Sequence, residues 1–156
     1  EKVGALLKEK SLTLATAESC TGGLIGHRLT QVAGSSEYYK EGFVVYSNDA
    51  KINRLQVEPK LIEEFGAVSE PVAQAMAEGV CRVTGADIGV SVTGIAGPLG
   101  GSDFKPVGLT YIAVHDRSGT YCRKFIFTHD RIKNKERSAQ AALNLVRLRL
   151  QGKLEN

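Results

Sequence analysis

The chain has 156 residues, 42% hydrophobic and 24% charged, with a formal net charge of +3. This excludes a disordered chain and fits one domain, residues 1–156, that buries roughly 70% of its unfolded surface. No run approaches the roughly 18 apolar residues of a membrane span and no signal-peptide core opens the chain, so a cytoplasmic protein whose start is missing is expected.

Residues 1–9 place Val3, Leu6 and Leu7 at helical spacing, and residues 12–17 then read as a short β-compatible strand. That strand runs into Glu18-Ser19-Cys20-Thr21-Gly22-Gly23, after which Leu24, Ile25, Arg28, Leu29 and Val32 return to helical spacing. Residues 33–37 form a turn, 42–46 a buried-type strand, and 48–55 a short helix opened by Asn48 as cap. Residues 59–65 suit another helix, with Pro59 at its start and Gly66 past its end. Ser69-Glu70-Pro71 caps a longer helix with Val72, Met76, Val80 and Val83 on one face, and Met76 reads as core filler. A strand over 87–92 leads into a second glycine-rich exit from Thr93. Residues 107–114 and 121–127 alternate as a hairpin through Asp116-Arg117-Ser118-Gly119. A last helix over 133–150 carries Ala139, Ala142, Leu143, Val146 and Leu150 on one stripe. Strands interleaved with helices in this order predict a three-layer α/β/α sandwich with a mixed sheet.

Strand, tight turn and helix in succession is where α/β proteins place small-molecule sites. Two such exits occur, at Ser19-Cys20-Thr21-Gly22-Gly23 and Thr93-Gly94-Ile95-Ala96-Gly97-Pro98. Small residues there let backbone N–H groups approach an anion, helped by a helix N-terminus. Neither matches a nucleotide fingerprint, and no Gly-x-Ser-x-Gly elbow exists. No histidine adjoins either loop, so a hydroxyl nucleophile would need another base; Lys51 serves if burial lowers its pKa, and otherwise is a solvated helix lysine. Cys20 at a helix N-terminus reads either as a reactive thiol or as a small buried residue. Cys20, Cys81 and Cys122 match no metal-knuckle spacing and leave one cysteine over in any disulfide scheme, so no metal site and a reducing compartment are expected.

Charge is segregated: residues 117–153 hold ten basic and two acidic side chains. Such a segment suits an anion site or a solvated face. Nucleic acid is disfavoured as a partner because no aromatic residue is interleaved between Arg131 and Lys153.

Ala17-Glu18-Ser19-Cys20-Thr21-Gly22-Gly23, Ala33-Gly34-Ser35-Ser36, residues 42–51 ending at Lys51, Gly66-Ala67-Val68-Ser69-Glu70, and the run from Ser91 through Gly108 together resemble the carboxy-terminal domain family of CinA, the competence/damage-inducible protein. The match runs in order from about Leu6 to Leu150. The resemblance implies an α/β/α fold, a cytoplasmic bacterial homodimer without an organic cofactor, and hydrolysis of the carboxamide of nicotinamide mononucleotide to nicotinate mononucleotide and ammonia. Carried over by motif, Ser19, Ser36, Tyr46, Lys51 and Thr93 are catalytic, and Thr21, Gly22, Gly23, Gly94, Ala96, Gly97, Arg131 and Arg137 bind substrate. In the mechanism fitted to these positions Ser36 attacks, Lys51 is the base and Tyr46 steadies the proton, with Ser19 the other candidate nucleophile. The family commonly has arginine four residues after Arg131, where this chain has Lys135; lysine keeps the charge without the bidentate fork, which Arg131 or Arg137 would supply. The alternative reading is a non-catalytic nucleotide- or partner-binding module.

Overall fold

The computed structural model describes residues 1–154. In chain order it runs α1 (Lys2–Lys10), β1 (Leu14–Glu18), α2 (Leu24–Thr30), a 3-10 turn (Ser35–Glu37), β2 (Tyr39–Val44), α3 (Asn48–Leu55), α4 (Pro59–Phe65), α5 (Glu70–Thr84), β3 (Ile88–Gly94), β4 (Leu109–Asp116), β5 (Gly119–Ile126) and α6 (Arg131–Leu150). The sheet order is β2-β1-β3-β4-β5, with β1 parallel to β2 and β3, and β4 antiparallel to its neighbours.

Helices cover both faces, as the alternation predicts. On one, α1, α2 and α6 pack Val3, Leu7, Ile25, Leu29, Ala142 and Val146 against Leu14, Val90, Val92 and Ile112. On the other, Leu55, Val72, Met76 and Val80 of α3 and α5 meet Ala15 and Ala17 of β1. Strand parity sets this division. In β3, Ile88, Val90 and Val92 face the first layer, while Gly89 and Ser91 face α5; the Ser91 hydroxyl donates to the Ala73 carbonyl at 2.6 Å.

The chain leaves β1 through α2 to reach β2 on one side, then passes through α3, α4 and α5 over the opposite face to reach β3 on the other. The crossovers diverge at β1, so the carboxyl ends of β1 and β3 bound the crevice at which open α/β sheets take ligands.

Three local expectations are corrected. β2 starts at Tyr39 and is an edge strand with mostly exposed residues, because no strand among the described residues pairs beyond it. Ser47, not Asn48, caps α3, accepting from the Ala50 N–H at 3.0 Å. Val83, in the last turn of α5, is exposed.

Candidate active site

Successive side chains at the end of β1 point to opposite faces, so Glu18 turns toward α2 and Ser19 toward α3. Each finds a buried partner there.

The Glu18 carboxylate accepts from the Thr21 hydroxyl at 2.7 Å and from the Ile25 and Gly26 N–H groups at 2.9 and 3.0 Å. It therefore fills the donors at the start of α2. The expectation that this helix end would hold a substrate anion is corrected: the position already carries a carboxylate. Glu18 escaped the sequence reading, though an acid at a strand end followed by a glycine turn and a helix was its signal. The turn itself needs Gly22 and Gly23, whose φ values of 61° and 103° disfavour any side chain.

On the other face the Lys51 ammonium group reaches Ser19 from the first turn of α3. Its Nζ lies 3.1 Å from Ser19 Oγ, 2.9 Å from the Val45 carbonyl and 3.4 Å from that of Tyr46. Lys51 is 1% exposed. Burial lowers its pKa below the ordinary lysine value, with a smaller opposing influence from Cys20. This burial is the requirement the sequence could not show.

Thr93 lies beside this pair. Glu18 pairs with Val92 in the sheet and the Ser19 N–H donates to the Val92 carbonyl at 3.0 Å, which brings Thr93 level with Ser19. The Thr93 hydroxyl is buried and donates to the Ala67 carbonyl at 2.8 Å. Gly94 follows at the strand end, paired with Thr110.

Ser36 is not part of this group. It is exposed in the 3-10 turn before β2, whereas Lys51 follows the far end of that strand, about 20 Å of extended chain away. The Ser36–Lys51 pairing is thus corrected to Ser19–Lys51. Tyr46 is 61% exposed and its ring hydroxyl accepts from Arg131 at 3.1 Å, so only its backbone carbonyl touches Lys51.

Arg131, at the start of α6, also donates to the Gly97 carbonyl at 2.7 Å and so ties the two loops together. Beside it the buried Asn134 amide donates to the Ala96 carbonyl at 3.0 Å. Asn134 is a second residue the sequence reading missed; a lone polar residue within a basic helix gave no signal. Arg137 does not line the groove beside Gly22 and Gly23 but the adjoining surface with His27 and Arg28, because two residues along a helix rotate a side chain about 200° from Lys135. Lys135 instead lines a groove of about 390 Å³ with Thr21, Gly22, Gly23, Leu24 and Ile132.

Cys20 is buried, 7% exposed, and burial pushes its thiol up to about 12, which favours the small buried residue over the reactive thiol. Among the described residues no cluster of three or more histidine, cysteine or acidic side chains suits a metal ion. No helix among them is long and apolar enough to cross a membrane.

Fold and site define an α/β domain with a buried serine–lysine pair at the switch point of a mixed sheet. The chain belongs to the CinA C-terminal domain family, whose model matches residues 1–150. It is 53% identical over 151 residues to a CinA-like protein of Chloroherpeton thalassium, covering 94% of this chain and 36% of that protein. A CinA-like protein of Geobacter sulfurreducens is 51% identical over 148 residues, covering 95% and 36%. The chain thus spans about a third of the length of these curated relatives. Among solved structures, a competence-damaged protein (CinA) superfamily protein from Klebsiella pneumoniae superposes with a TM-score of 0.93 at 33% identity, covering 97% of this chain and 94% of the other. The competence/damage inducible protein CihA from Agrobacterium tumefaciens gives 0.90 at 38% identity, covering 97% and 96%.

Proposed function

We propose that this domain hydrolyses the carboxamide of nicotinamide mononucleotide, releasing nicotinate mononucleotide and ammonia, with Ser19 as nucleophile and Lys51 as general base. The observation that carries the reading is the 3.1 Å contact between Ser19 Oγ and a fully buried Lys51 Nζ.

A neutral lysine amine has two N–H donors and one lone pair. With the donors on the Val45 and Tyr46 carbonyls, the lone pair is left for the Ser19 hydroxyl proton. Ser19 Oγ then attacks the carboxamide carbon as that proton passes to Nζ. Nζ returns the proton to the departing nitrogen, ammonia leaves, and the substrate acyl group remains as an ester on Ser19. A water molecule, losing its proton to Nζ, cleaves the ester; that proton goes back to Ser19 Oγ and the carboxylic acid departs, ionising in solvent. Atoms and charge balance as one amide and one water giving one carboxylic acid and one ammonia. The Ser19 and Gly22 N–H groups being used by the Val92 and Ser19 carbonyls, the Thr21 and Gly23 N–H groups serve the developing oxyanion, and Lys135, at the mouth of that turn, takes the 5′-phosphate that α2 cannot.

Incubating the protein with nicotinamide mononucleotide and following ammonia tests this. Release that disappears in Ser19→Ala and Lys51→Met is expected. Saturable binding of the nucleotide with no ammonia would instead establish a non-catalytic binding module.

A further inference from the structure

The groove beside Gly22 and Gly23 does not end at Lys135. At Leu24, His27 and Glu136 it joins a second concavity of about 520 Å³ that continues between α2 and α6, lined by Arg28, Gln31, Lys133, Arg137 and Gln140. About 12 Å of helix separates Gly23 from Gln31, the reach of one further phosphate and its nucleoside.

Three properties of this extension point to a ligand. Arg28, Lys133, Lys135 and Arg137 surround it against one acid, Glu136, and no carboxylate lies within salt-bridge distance of any of the four among the described residues. Arg28 donates to the side-chain amide oxygen of the exposed Gln140 at 2.6 Å, which ties it across the groove from α2 to α6 and leaves its other N–H donors available. Ile132, 69% exposed, and Leu24 form an apolar wall at the mouth. Half-buried Arg28 and Lys135, exposed Lys133 and Arg137, and an apolar rim form a chemistry suited to a phosphorylated nucleoside rather than to inorganic phosphate alone.

We propose that the α2–α6 groove binds the second phosphate and second nucleoside of a dinucleotide, so that the substrates of this domain include pyridine dinucleotides carrying the same carboxamide. This rests on the amidase reading for the turnover of such a substrate, but not for its binding. The reaction at Ser19 is unchanged: the same amide C–N bond breaks, one water enters and one ammonia leaves.

ADP carries the second nucleoside and both phosphates without the carboxamide, so calorimetric titration of the whole protein with ADP reads the groove independently of catalysis. ADP is expected to bind, and Arg28→Ala and Lys133→Ala are each expected to weaken it at least fivefold while changing the affinity for nicotinamide mononucleotide less than twofold. Ammonia from nicotinamide adenine dinucleotide should fall in the same variants. Absent ADP binding, or binding indifferent to both substitutions, overturns the proposal even if the mononucleotide is hydrolysed. ADP binding that depends on Arg28, without ammonia from either nucleotide, upholds the groove and rejects the amidase. Displacement of ADP by a short DNA duplex with a steep salt dependence would assign the cations to nucleic acid and overturn the dinucleotide.

Discussion

Lys51 Nζ sits 3.1 Å from Ser19 Oγ, and among the described residues no other basic side chain hydrogen-bonds that hydroxyl. Nucleophile and base then act as a unit, so removing either should cost as much as removing both. Ser19→Ala, Lys51→Met and the double variant are expected to lose on the order of a thousandfold or more in kcat while nucleotide binding persists. Ser36→Ala should stay within about twofold of the parent, since surface substitutions away from a site perturb little. Ammonia release with calorimetric binding on the same preparations checks all four; loss of turnover in Ser36→Ala would restore that serine to the mechanism.

Burial depresses the Lys51 pKa, which gives two pH dependences of known sign. The active form is the neutral amine, so kcat/KM should rise with pH and level off once the pH passes the folded-state pKa. Stability should move the same way. Between the lowered folded pKa and the ordinary value of 10.5, the unfolded chain holds the proton and the folded chain does not, so unfolding free energy increases with pH across that window. Below it, the folded state carries the full cost of a buried ammonium. Urea unfolding of the parent and Lys51→Met at several alkaline pH values measures this; the slope due to Lys51 should vanish in the variant.

Glu18 and Ser19 show how much of the site was readable from the chain. Strand alternation alone says that neighbours at the end of β1 face opposite layers, and the order strand, glycine turn, helix puts the 19–23 loop between β1 and α2, where the structure has it. Pro59 and Gly66 fixed both ends of α4, because one presets φ at a helix start and the other tolerates the backbone beyond its end. What the chain could not carry was sheet order. Ser19 and Ser36 both lie in short polar turns, and only the placement of β2 beside β1, with Ser36 before it and Lys51 after it, decides which serine the lysine meets. The edge position of β2 was hidden for the same reason: Val44 reads as interior until it is known that no strand among the described residues pairs outside it, whereas Val45, just past the strand, is buried in the core.

The Glu18 carboxylate receives three hydrogen bonds in a buried site, one from a hydroxyl and two from backbone N–H groups. Glu18→Gln keeps one oxygen for two of them and sets an amide N–H₂ against the third donor. An unsatisfied buried donor and the loss of a charge-assisted bond together should cost about 1–3 kcal/mol of stability. Because the same bonds fix the turn after Ser19, kcat should also fall, by about tenfold if the nucleophile shifts by a fraction of an ångström. Urea midpoints and kcat for the one variant test both. A stable variant with full turnover would show that the turn holds its shape without the carboxylate.

Gly79 links the core to the base. It lies on the face of α5 that meets α3, and a Cβ there would run into the backbone carbonyl of Leu55, at the end of the helix whose first turn carries Lys51. A backbone atom cannot swing aside as a side chain does, so Gly79→Ala must displace α3 as a body or open the contact between the helices. Overpacking of this kind costs about 1–3 kcal/mol, against the gain of up to about 1 kcal/mol that alanine brings to an exposed helix interior. The net expectation is destabilisation. A moving α3 carries Nζ away from Ser19 Oγ, so kcat should fall while the KM for the nucleotide, set by the loops around Gly22 and Gly97, changes little. A control at Gly85, where an added Cβ meets nothing within 4 Å but φ is +73°, should lose stability through backbone strain alone and keep kcat. If Gly79→Ala and Gly85→Ala lower stability and kcat in the same proportion, the loss of turnover reflects general unfolding rather than the position of Lys51.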